Sequence, residues 1–100
     1  MRPYADRVRS VDLALYADSL ASEAAAVAAR IERARGRMRE SLIEQDARRA
    51  LSRGTVDRLE RLGLLRPGDQ RRLGDELRRL EADLGAVQEL QAWVEARLAE

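Results

Sequence analysis

The chain has 100 residues, of which 19 are basic and 18 acidic, for a formal net charge of +1 at pH 7. With no Cys and no His, it has no disulfides, no thiol chemistry, no Cys/His zinc site and no catalytic triad built on imidazole. Charged residues make up 37% and aromatics 3%, a helix-forming composition that buries only a thin core and leans on assembly for stability.

Every basic residue is Arg. Guanidinium forks suit phosphates and other anions. A G+C-rich codon bias gives the same usage, and the near-balance of acids favours that plainer explanation. The N-terminal residues run into charges after Tyr4 rather than into an apolar segment, so no signal peptide is expected. No apolar run approaches the ~20 residues of a membrane span. A cytoplasmic protein without membrane contact is the expectation.

Pro3 suits the first turn of a helix. From Tyr4 to Leu51 there is no Pro and one Gly, Gly36, which predicts a first helix over about 4–51. Leu13, Ala17, Leu20, Ala24, Val27, Ile31, Ala34 and Met38 step alternately by four and three, the pattern of a coiled-coil seam. Residues 20–31 are small or apolar almost all round, so Ala21, Ala25 and Ala29 offer a second face to another helix. Ser52-Arg53-Gly54-Thr55 reads as a turn, with Gly54 left-handed at the helix end and Thr55 capping a short helix over about 56–62. In that helix Val56, Leu59 and Leu62 share one side. Arg66-Pro67-Gly68-Asp69 makes a second break, and Asp69 is placed to cap a last helix over about 70–98.

That last helix carries its own seam: Leu73, Leu77, Leu80, Leu84, Val87, Gln91, Val94 and Leu98. Folding the two seams antiparallel with Met38 beside Leu73 sets small residues of the first against large ones of the second. The same register brings Arg37 opposite Glu76 and Arg30 opposite Asp83, although neither pair was used to choose it. The expectation is an all-α fold, a long antiparallel helical hairpin over residues 1–100 as one domain. A short helix connects its arms, and a second chain completes it to a bundle.

No catalytic or cofactor motif is present. Glu40 and Glu44 lie one turn apart, but helical di-metal sites pair Glu with Glu-x-x-His, and these acids alternate with Arg as a solvated face does. No metal, cofactor or enzymatic activity is therefore expected. Arg30, Arg33, Arg37, Arg48, Arg49 and Arg53 are the candidate anion-binding residues. Intervening Glu32, Glu40 and Glu44 make nucleic acid a disfavoured partner. Apolar residues off the seams are the stronger signal: Val8, Val11, Leu15, Ala21, Ala25, Ala29, Leu42, Ile43, Leu90 and Trp93, the last an exposed-Trp hot-spot candidate. The expected function is a non-enzymatic helical interaction module, regulatory, adaptor or chaperone-like, acting as a homo-oligomer or on a helical protein partner. The alternative is Arg-based binding of nucleic acid or of a phosphorylated ligand such as a nucleotide second messenger.

Overall fold

The computed structural model describes the backbone of residues 3–66 and 70–100, and side chains from residue 10 onward in those ranges. Three helices occur in order: α1, Pro3–Ala50; α2, Arg53–Arg61; and α3, Gln70–Leu98. Long α1 packs against α3 as a helical hairpin, with α2 in the connection. The chain forms two compact units, one of residues 1–30 with 80–100, the other of residues 31–79.

In the first unit the seam is the core. Leu20 and Val27 of α1 are buried, and Val94 of α3 is fully enclosed. Leu13, Ala17 and Ala24, with Leu80, Leu84, Val87 and Gln91, are half-buried, as expected where each helix has one partner. Leu98 departs from the pattern and stays 41% exposed, because it is the last residue of α3 and no further turn lies over it. Arg30 and Asp83 are both exposed, and no ion pair joins them among the described residues. An exposed pair gains at most ~1 kcal/mol against the entropy of fixing two side chains, too little to enforce contact.

In the second unit Ile31 and Ala34 are buried, while Met38, Leu73 and Leu77 are half-buried. Arg37 Nη2 donates to Glu76 Oε1 at 2.8 Å, the contact the antiparallel register required. A Cβ added to Gly74 would stand 3.8 Å from Met38 Cε, within one residue of the expected Leu73 layer. Gln70 Nε2 donates to Gln45 Oε1 at 2.6 Å, so partners on α3 fall in number as those on α1 rise. The seam also continues past Met38 in the same steps through Ser41, which is buried, and through half-buried Gln45 and Arg48. Polar side chains hid this extension in the sequence.

Ser52, not Thr55, caps α2: its side chain accepts from the Thr55 N–H at 3.3 Å, and the two hydroxyls lie 2.9 Å apart. Gly54 therefore belongs to the first turn of the helix. The left-handed glycine is Gly63, with φ of 75°, which lets the Gly63 N–H reach Glu60 O and the Leu64 N–H reach Leu59 O. The Asp69 cap lies outside the described residues. Two glycine substitutions should act in opposite directions in urea melts. Gly63→Ala should destabilise by about 1 kcal/mol, the cost of an L side chain in the left-handed region. Gly85→Ala, inside α3 with open space around the added methyl, should stabilise by roughly the same amount.

Candidate functional site

The interface candidates among the described residues are exposed. In the first unit Val11 and Leu15 of α1 are exposed, as are Ala21, Ala25 and Ala29. The side chain of Val8 lies outside the described residues. Trp93 of α3 is 54% exposed, and the Arg97 guanidinium lies 5.3 Å from its ring centroid, a cation–π contact. Leu90, one turn before it, is also exposed. In the second unit Leu42 and Ile43 are exposed, Ile43 at 68%.

Four further apolar side chains are exposed that sequence reasoning did not single out: Tyr16, Leu51, Leu62 and Leu64. Leu62 is instructive, because helical spacing placed it beside Val56 and Leu59. α2 ends at Arg61, so Leu62 becomes its C-cap and turns outward. Leu65, beyond the left-handed Gly63, takes the buried place instead. A glycine after a short apolar run is the signal that the helical period stops there.

Two of the candidate anion-binding arginines are engaged within the chain. Arg37 is paired with Glu76, and Arg48 with Glu60 Oε1 at 2.8 Å and with the Arg66 carbonyl at 2.7 Å. Arg30, Arg33, Arg49 and Arg53 are exposed. Two surface clefts among the described residues have none of the six in their lining. One cleft is bordered by Ser52, Gly54, Thr55, Arg58, Leu59 and Leu62, the other by Arg71, Arg72, Asp75, Glu76 and Arg79. Pairs along single helices, Arg35 with Glu32 and Arg78 with Asp75, show the interleaving of charges expected of a solvated face. Among the described residues no group of three acidic side chains could hold a metal ion, and no helix is long and apolar enough to cross a membrane.

Charge is distributed unevenly between the units. Residues 1–30 with 80–100 carry five Arg and nine acids, a net −4. Residues 31–79 carry fourteen Arg and nine acids, a net +5. The whole-chain value of +1 conceals an acidic unit and a basic unit. No protein-family model, no curated protein and no solved structure matches the chain.

Proposed function

We propose that this chain is a non-enzymatic helical interaction module of the cytoplasm, regulatory, adaptor or chaperone-like, that works by docking its apolar helix faces. The exposed apolar side chains carry the proposal. Large apolar residues, among them Leu15, Ile43 and Trp93, stand exposed, Leu15 at 62%, Ile43 at 68% and Trp93 at 54%. Isolated exposed leucines are ordinary, but five or more on a 100-residue chain with a core this thin are the mark of surface held for a partner.

Arg-based binding of nucleic acid or of a phosphorylated ligand stands second, favoured by the net +5 of the basic unit. Capture experiments on wild-type, Trp93→Ala and Ile43→Asp chains separate the two. Apolar docking predicts a bound protein that survives 0.5 M salt and is lost, by tenfold or more in affinity, with either substitution. A phosphate ligand predicts binding that falls steeply with salt and ignores both substitutions.

A further inference from the structure

Residues 51–66, which connect α1 to α3, are basic and apolar at once. They hold four arginines and two acids. One of the acids, Glu60, is taken by Arg48. Arg53, Arg58 and Arg61 hold no ion pair among the described residues. Leu51, Leu62 and Leu64 stand exposed in the same stretch. All of it lies within one unit, residues 31–79, and the charge is uncompensated there, since that unit is net +5.

The cleft beside α2 joins the two characters. It holds about 480 Å³, within the ~300–1,000 Å³ of ligand sites. Leu59 and Leu62 supply its apolar lining. The Ser52 and Thr55 hydroxyls lie 2.9 Å apart and bond each other, and Ser52 Oγ also accepts the Thr55 N–H. Arg58 is left as the lining side chain whose charge nothing in the described chain answers. Helical position keeps the acids of α2 away from it. At about 100° per residue, Gly54, Thr55, Arg58 and Leu59 centre on one side of the helix, with Asp57 about 130° away and Glu60 nearly opposite.

We propose that this cleft docks an acidic, leucine-bearing segment of another protein. An apolar side chain of that segment packs on Leu59 and Leu62, and an Asp or Glu beside it meets the Arg58 guanidinium. The proposal rests on the apolar-docking function and adds to it a site and a partner chemistry. Charge chooses the occupant. The cleft side of α2 carries a guanidinium and no carboxylate, so it attracts an acidic segment and repels a basic one. Shape narrows the choice further. A concave site receives a side chain, whereas a lipid surface needs a convex or flat one. The apolar rim runs on from Leu62 to exposed Leu64, and exposed Leu51 precedes Ser52, so the surface is longer than the cleft and suits a stretch of chain.

Three short labelled peptides, titrated by anisotropy against the full chain, test the assignment. One combines Leu with Asp and Glu, a second has Lys and Arg at the acidic positions, and a third keeps the acids and replaces Leu with Ser. The expected result is binding of the first, with the other two weaker by roughly tenfold or more. Arg58→Glu should weaken the first peptide by at least as much and favour the second. A Cβ added at Gly54 meets nothing within 4 Å, so Gly54→Phe fits the fold while its ring crowds the cleft, and it too should weaken the first peptide. Urea melts matching wild type show that both variants fold. Equal affinity for acidic and basic leucine peptides would overturn the proposal, as would no binding of the first peptide or an affinity that ignores both substitutions. Arg58-dependent binding to anionic lipid vesicles in preference to the peptide would overturn it in favour of a membrane. A mass that rises with concentration and falls when the peptide is added would overturn it in favour of a second copy. Salt-resistant capture of a protein that needs Trp93 or Ile43 would still uphold the docking function, so the two can fail separately.

Discussion

Val94→Asp should abolish the cooperative folding of the acidic unit. Val94 is fully enclosed and stands at a seam position of α3, with Leu20 and Val27 of α1 the other buried apolar residues among the described residues of that unit. A carboxylate there loses its hydration and finds no cation within the seam, at a cost of several kcal/mol. Small domains have only about 5–15 kcal/mol to lose, and a core this thin places this one toward the lower end. Val94→Ala removes only two methyl groups and should cost about 2 kcal/mol through lost transfer energy and the residual cavity. Ala92→Asp, exposed on the same helix, should change stability by less than about 0.5 kcal/mol. Circular dichroism during urea melts, at one fixed protein concentration, ranks the three. Equal midpoints for Val94→Asp and Ala92→Asp would mean that the seam is not the core.

Apolar periodicity made most of the hairpin legible. A three-four repeat of Leu, Ile, Val and Ala leaves little choice about which stripe is buried; two such repeats around a Pro/Gly break fit an antiparallel hairpin, with a parallel homodimer of each helix as the competing arrangement. The Arg37–Glu76 pair came with the register. Periodicity gave no guidance where seam residues turn polar. Ser41, Gln45 and Arg48 keep the helical steps of the seam, yet each looks like a surface residue when read alone. The cap of α2 was ambiguous for a similar local reason. Ser52 and Thr55 are both N-cap residues three apart, and only the backbone decides which hydroxyl accepts.

The apolar surface was legible because its members fall off the seams, and each described member stands exposed. The arginines were harder to read. Two of the six chosen for anion binding serve the fold: Arg37 pairs with Glu76 as the register requires, and Arg48 pairs with Glu60 across the turn, a contact that helical spacing does not reveal. The opposite charges of the two units were hidden differently. Residues 1–30 carry four Arg and four acids, residues 31–79 fourteen and nine, and residues 80–100 one and five, so the negative charge of the first unit comes from its α3 segment. The whole-chain sum hides them because the two charged blocks nearly cancel.

Arg48→Ala should loosen the connection between α1 and α3 more than the loss of any other arginine. The guanidinium bridges two acceptors from different elements, the Glu60 carboxylate on α2 and the Arg66 carbonyl beyond it, while the stem continues the seam. Truncation leaves both acceptors without this donor and strips methylene packing, a loss of about 1–3 kcal/mol. The side chain is 28% exposed, so the ion-pair share is screened and lies toward the low end of that range. Arg48→Lys should recover only part, because one ammonium cannot reproduce a fork donating to two separated oxygens. Glu60→Ala should cost less than Arg48→Ala, since it leaves the carbonyl contact intact. The double variant should be less destabilised than the sum of the two, by the coupling of the pair, and that coupling should shrink in 0.5 M salt. Hydrogen exchange reads the effect locally, with faster exchange of the α2 amides in Arg48→Ala and little change at Val94. Exchange of α2 that matched Arg33→Ala, an exposed arginine of the same helix, would show that the bridge contributes nothing to holding the connection.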